Sequence, residues 1–141
     1  MTDSGAAASK VDLLIGDPSG IGTELVAKVL ADTAFDPDAD MVVIGDERVL
    51  LREMERTGLR RDLQVRENLA DFDPDDPAVP FLKVPVTEID LDALPMGCSN
   101  EIGGRYAMEV LSAALDLAVA AKIARNRVLY DGPDEAAAAA Q

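Results

Sequence analysis

The residues whose types and spacing best fit chemistry are Gly16-Asp17-Pro18-Ser19-Gly20-Ile21-Gly22-Thr23-Glu24, set between the apolar run Val11 to Ile15 and the helical run Leu25 to Leu30. Strand, tight glycine loop and helix N-terminus is the order by which α/β proteins turn backbone N–H groups toward an anionic ligand. Without side chains at Gly16, Gly20 and Gly22 a ligand can approach the main chain, and the helix that follows adds partial positive charge. Pro18 fixes one φ and stiffens the turn. Asp17 repels phosphate, so it reads as a loop organiser that accepts backbone N–H bonds, or as an acceptor for a ribose or amide group. The Thr23 hydroxyl can cap the helix or donate. A second reading stands beside this one, in which the glycines serve only to turn a strand tightly into a helix. The spacing G-x-x-x-G-x-G matches neither the dinucleotide fingerprint nor the P-loop.

Other chemistry is sparse. The 141 residues contain no histidine, which removes the common Ser or Cys hydrolase arrangement, so no catalytic residue is assigned. Cys98 has no partner for an internal disulfide and reads as a small, buried or half-buried side chain. Arg48, Arg52, Arg56 and Arg60 recur every four residues; with Glu55 set to pair Arg52 and Glu53 set to pair Arg56, the ladder reads as a self-neutralised helix face. Asp32, Asp36, Asp38 and Asp40 around Pro37, and Asp71, Asp73, Asp75 and Asp76 around Pro74 and Pro77, read as hydrated connectors. Neither follows the calcium-loop pattern, and no metal ligands are assigned.

The elements that must hold the loop follow from pattern. Val11–Ile15 and Met41–Ile44 are aliphatic without polar alternation, as buried parallel strands are. Leu25, Val26, Val29 and Leu30 are expected to face the sheet between them. Val49, Leu50 and Met54 do the same for a second helix, which Gly58 ends. Leu63–Val65 and Phe81–Val84 are further candidate strands, the latter placed at a sheet edge because Pro80 and Pro85 bracket it. A long helix from about Asn100 to Arg125 takes Ser99 as its cap and Glu101 in its first turn. Tyr106, Val110, Ala114, Leu117, Ala118 and Ala121 form its apolar stripe, widened by Met108, Leu111, Leu115 and Val119, with Glu109, Asp116 and Lys122 on the wet side. Residues 1–10 read as a flexible tail.

A hydrophobic content of 48% in 141 residues suffices for one core. A net charge of −14, from 13 basic and 27 acidic residues, argues against nucleic acid and anionic membrane as partners. No apolar run approaches a membrane span, and no basic cluster precedes an amino-terminal apolar stretch, so a cytoplasmic protein is expected.

The loop GDPSGIGTE resembles the opening of the 4-hydroxythreonine-4-phosphate dehydrogenase family of pyridoxal phosphate biosynthesis, whose members begin with a strand followed by GDPAGIGPE. The likeness continues through MVVIGD at Met41 to Asp46 with Glu47 to Leu59, and through Ser99 to Ile123 as the family's long helix. It covers roughly residues 11 to 123, about the first third of a family member. It implies an α/β fold with a partial parallel or mixed sheet flanked by helices, like the first domain of the isocitrate/isopropylmalate dehydrogenase-like fold. It also implies NAD or NADP as cofactor, held near Gly16, Asp17, Pro18, Gly20, Ile21, Gly22 and Thr23, a divalent metal, a phosphorylated small-molecule substrate and a homodimer. Thr23 stands where the family has proline. After Lys122 the likeness ends, and the family's second domain, with three metal-binding histidines and the substrate phosphate site, has no counterpart here. The expectation is therefore an α/β domain over 11–124, incomplete relative to the family, followed by a divergent low-complexity tail over 125–141. Such a fragment would be inactive alone and would self-associate through the apolar face of its long helix. The rival is a small non-catalytic α/β module that binds a phosphate-bearing ligand or a protein partner.

Overall fold

Two aliphatic runs, too short for helices and too apolar for a half-wet sheet, become neighbouring parallel strands: β1 (Val11–Leu14) pairs with β2 (Met41–Gly45), Val11 opposite Met41. A computed structural model describes residues 11–32 and 41–129, with side chains for 12–32 and 41–120. Between the strands runs α1 (Gly22–Ala31); α2 (Glu47–Thr57), β3 (Leu63–Arg66), β4 (Val79–Lys83) and α3 (Glu101–Leu129) follow. Short 3-10 turns occupy Leu69–Asp71 and Leu91–Ala93. The sheet is parallel throughout, in the order β1-β2-β4-β3. The crossovers through α1 and α2 run the same way across it, so the right-handed rule puts both helices on one face. There they pack on each other, while α3 packs on β1 and β2. Val43 and Ile44, adjacent in β2 and pointing to opposite faces, are both buried, so both faces of the sheet are covered there.

Local chemistry sets the helix limits. Asp46 caps α2, its carboxylate accepting the Arg48 N–H, and Gly58 closes the helix at φ 73°, a left-handed angle that glycine adopts without strain. The cap of α3 is Asn100, not the expected Ser99: Asn100 Oδ1 accepts the Gly103 N–H at 2.7 Å, the bond that a cap makes to the third helical residue. The helix runs four residues past the expected Arg125. The aspartates of 33–40, the amino-terminal tail and residues 130–141 lie outside the described residues.

Three expectations are corrected. β4 is interior rather than at an edge, lying between β2 and β3 despite Pro80. The Val79 N–H donates to Asp62 O at 2.9 Å and the Val84 N–H to Gly45 O at 3.1 Å, so odd residues of β4 bond toward β3 and even ones toward β2. Pro80 therefore lacks a donor on the β2 side, one residue before that pairing begins at Val43 opposite Phe81, a strand-start position that tolerates proline. On α1 the buried face is Thr23, Val26, Ala27 and Leu30. Leu25 and Val29 are exposed, because the surface beneath α1 is narrower than the helix's apolar arc. Cys98 is exposed rather than buried, since it lies in the segment leading to α3 and not on a packed face.

On α3 the sheet buries Tyr106, Val110 and Ala114 and half covers Leu117. Met108, Leu111, Leu115, Ala118 and Val119 are exposed. The side chains of Ala121 and Lys122 lie outside the described residues.

Candidate functional site

The glycine loop leaves the carboxyl end of β1, the end of a parallel sheet where open α/β folds place their ligands. Its inner side is closed by its own bonds. The Asp17 carbonyl accepts the Gly20 N–H at 3.0 Å, a turn with Pro18 at its second position. Asp17 Oδ1 accepts the Ser19 N–H at 2.8 Å. Asp17 is thus the organiser that its charge requires it to be, and the amides of Ser19 and Gly20 are occupied by it. What remains for an anion is the start of α1, whose cap residue Ile21 makes no side-chain cap bond.

Positive φ angles among the described residues fall on Gly45, Gly58 and Gly97 and not on the loop glycines. Nor does crowding call for glycine at Gly16 or Gly22, where an added Cβ would meet no atom within 4 Å; at Gly20 it would meet Asp17 O at 3.4 Å, an ordinary contact. The turn as folded could be made with side chains at 16 and 22, so the turn alone does not account for these glycines. The open space beside them fits an approaching ligand.

Three neighbouring segments hold the loop, and their anchors Arg52 and Asn100 carry no local signal of that role. Arg52 of α2 donates to Pro18 O at 2.8 Å, to Leu91 O and to Met96 Sδ at 3.2 Å. The expected Arg52–Glu55 pair is therefore corrected: the two ends of the guanidinium fork are taken by the backbone carbonyls of Leu91 and Pro18. Gly97 N–H donates to Ser19 O at 2.8 Å, and Asn100 Nδ2 to Ser19 Oγ at 2.8 Å. At the start of α3, Gly103 lies so close to the Asp17 carboxylate that a Cβ there would collide with it. Thr23 neither caps nor donates: it is 2% exposed, and its hydroxyl has no hydrogen-bond partner.

A second polar group follows β2. Asp46 N–H donates to the Tyr106 hydroxyl at 2.9 Å, and Arg48 clasps the Asp46 carboxylate at 2.7 Å. Burial pushes that carboxyl up, but the Arg48 bonds and charge prevail and hold it below its ordinary value. Burial lifts the Tyr106 hydroxyl to about 12. Lys83 is raised by its bond to Glu47 at 3.1 Å. The expected Glu53–Arg56 pair is present at 2.5 Å, and Arg56 also reaches Glu24 of α1 at 3.1 Å. Glu109, expected on the wet side, accepts the Thr87 N–H and hydroxyl at 2.7 and 2.6 Å, and these bonds lower its pKa.

An open cleft of about 840 Å³ lies between α2 and residues 88–92, lined by Arg48, Arg52, Glu55, Glu88, Asp90 and Asp92. Both arginines are already bonded, and the unpaired excess is acidic, so the cleft repels phosphate. Among the described residues no group of three or more His, Cys, Asp or Glu side chains is placed to hold a metal ion, and the chain has no histidine. The described residues therefore offer no ready ligand set for a catalytic divalent cation.

No family model matches the chain. The Pseudomonas aeruginosa protein named "Putative 4-hydroxythreonine-4-phosphate dehydrogenase 2" is 36% identical over 108 residues, covering 77% of this chain and 32% of its own length. A Symbiobacterium thermophilum protein named "Putative D-threonate 4-phosphate dehydrogenase" is 28% identical over 109 residues, 77% of this chain and 32% of its own. The crystal structure of 4-hydroxythreonine-4-phosphate dehydrogenase from Klebsiella pneumoniae superposes with a TM-score of 0.69 at 26% identity, covering 84% of this chain and 35% of that one. The chain spans about a third of the length of the relatives it matches. No helix among the described residues is long and apolar enough to cross a membrane.

Proposed function

We propose that this chain, a homologue of the 4-hydroxythreonine-4-phosphate dehydrogenases over about a third of their length, supplies one wall of a nicotinamide-cofactor site and is not a complete catalyst. The wall is the loop Gly16 to Thr23 at the carboxyl end of β1. The observation that carries this reading is the open space beside Gly16 and Gly22, glycines that neither φ nor crowding explains. When bound, NAD or NADP accepts the hydride in such oxidations. This chain's part is to present the main chain at Gly16 and Gly22 with the partial positive charge of α1, and to hold the loop rigid through Arg52, Asn100 and Asp17.

The substrate class is a phosphorylated hydroxy acid, as in the relatives' names, which divide between 4-hydroxythreonine 4-phosphate and D-threonate 4-phosphate. The first of these would place the parent activity in pyridoxal phosphate synthesis in the cytoplasm. The domain corresponds to the first domain of an isocitrate/isopropylmalate dehydrogenase-like fold, and residues 125–141 diverge from it. The exposed row on α3 serves self-association.

Turnover with NAD or NADP, a divalent metal and each phosphorylated acid tests the reading. The expected result is none above a Gly20→Ala control, because no side-chain group among the described residues is placed to hold the metal ion. Turnover by highly purified protein overturns it. Calorimetric titration with NAD separates the rival: measurable affinity in the isolated chain supports a self-sufficient binding module instead.

A further inference from the structure

We propose that the cleft between α2 and residues 88–92 binds a linear aliphatic polyamine, a molecule whose ammonium groups are spaced along an apolar stem. The glycine loop and its cofactor take no part in this.

Chain topology alone opens a crevice there. β2 and β4 are neighbours in the sheet. The chain leaving β2 enters α2 on one face. The chain leaving β4 crosses the carboxyl end of the sheet, meeting α2 at Leu91 and the glycine loop at Gly97, before it enters α3 on the other face. Adjacent parallel strands whose connections part to opposite faces leave a gap beyond their carboxyl ends, the switch point at which open α/β sheets take ligands. The cleft lies at that point, and its volume of about 840 Å³ falls within the range of small-molecule sites, roughly 300–1,000 Å³. Its strap is fixed from both sides of the sheet: Arg52 of α2 donates to Leu91 O, and Glu109 of α3 accepts the Thr87 N–H and hydroxyl.

The lining selects the ligand. Glu55 stands on the α2 wall, and Glu88, Asp90 and Asp92 stand on the strap. All four are exposed, and none forms an ion pair among the described residues. Of the arginines beside them, Arg48 is engaged with the Asp46 carboxylate and Arg52 with backbone carbonyls. The cleft therefore attracts cations. No group of acids among the described residues is placed to hold a metal ion, so the cation that suits these carboxylates carries its charge at several separated atoms. Leu51, 49% exposed, and half-buried Leu91 add apolar surface to the same lining. Ammonium groups that reach carboxylates on two walls, joined by methylenes that cover leucine, satisfy both halves of this chemistry.

The test is calorimetric titration of the full 141-residue chain with spermidine. At about 0.1 M salt the screening length of about 10 Å mutes the pull of the molecule's overall charge while contacts inside the cleft persist. Saturable binding of one spermidine per chain is expected. Glu55→Gln with Glu88→Gln, both at exposed positions, is expected to weaken it about tenfold, as the loss of two charge contacts would. Asp62→Asn with Asp75→Asn removes the same charge at the amino end of the sheet, where β3 and β4 begin, and is expected to change affinity less than about twofold. Amide resonances shifted by spermidine are expected within 48–55 and 88–92. Binding that does not saturate, equal losses in the two double variants, or shifts spread over the acidic surface overturns the proposal. No nicotinamide enters the titration, so the glycine-loop reading stands or falls on its own test.

Discussion

Single atoms decide how firmly the glycine loop is held and how the fold answers to pH. Thr23 occupies a helix-start position where the resembling family has proline, and its buried hydroxyl bonds to nothing. A buried donor without a partner costs about 1–3 kcal/mol. Thr23→Val, which keeps the shape and removes the hydroxyl, is therefore expected to raise stability by about 1 kcal/mol in urea denaturation with an unchanged slope; a loss of stability would show that the hydroxyl has a partner in solution. Tyr106 is the opposite case, a buried hydroxyl with a partner, accepting the Asp46 N–H that starts the turn into α2. Its folded pKa of about 12 lies above the ordinary 10.0. Folding thus favours the protonated phenol: its contribution is intact below pH 10 and is lost as pH rises from there through about 12. Tyr106→Phe should abolish that alkaline loss, seen as a flatter stability profile above pH 10, and should cost about 1–3 kcal/mol at neutral pH because the Asp46 amide is left unpaired. An unchanged alkaline profile would locate the titrating group elsewhere.

Helix α3 shows how an element's sequence can be read for its existence and misread for its neighbours. Apolar spacing places Tyr106, Val110 and Ala114 on one face, and that face is the buried one. The same rule misplaces Leu25 and Val29 on α1, because periodicity reports an apolar arc and not how much of it a finite sheet covers. β4 is misplaced as an edge for a related reason: proline's missing donor is a one-sided fact, and which neighbour it faces depends on register, which no single strand encodes. The candidate loop is legible because its glycines and proline are local signals. Its anchors are not, since Arg52 and Asn100 act across 34 and 81 residues of sequence, and nothing in an arginine's surroundings announces a bond to a distant carbonyl. Adjacent glycines in α3 turn this contrast into a measurement. Gly103 meets the Asp17 carboxylate, whereas Gly104 faces open space. Gly104→Ala should stabilise by about 0.5–1 kcal/mol through helix propensity alone. Gly103→Ala should instead destabilise by about 1–3 kcal/mol, the usual range for forcing added carbon into a filled site, as Asp17 is displaced and the Ser19 amide loses its acceptor. Equal effects of the two substitutions would mean that α3 does not hold the loop.

At the scale of the whole molecule, two forces on self-association oppose each other. Met108, Leu111, Leu115 and Val119 line up along the exposed side of α3, an apolar row that gains by being removed from water. Against it stands a net charge of −14 spread over 141 residues, which repels a second copy at any approach. Salt acts on only one of these. The screening length shrinks from about 30 Å at 0.01 M to about 10 Å at 0.1 M and about 3 Å at 1 M, while apolar attraction persists. The chain is therefore expected to sediment with a lower mass at 0.01 M salt and to shift toward dimers or larger species between about 0.1 and 1 M. If the α3 row is the contact, Leu111→Lys with Leu115→Lys should hold the protein monomeric across that range without lowering its unfolding midpoint, because both side chains are exposed in the monomer. Leu25→Asp should leave the salt response intact, since Leu25 is exposed on α1 and is no part of the α3 row. A mass that does not change with salt, or salt-driven association that survives both lysines, would place the self-association surface somewhere other than α3.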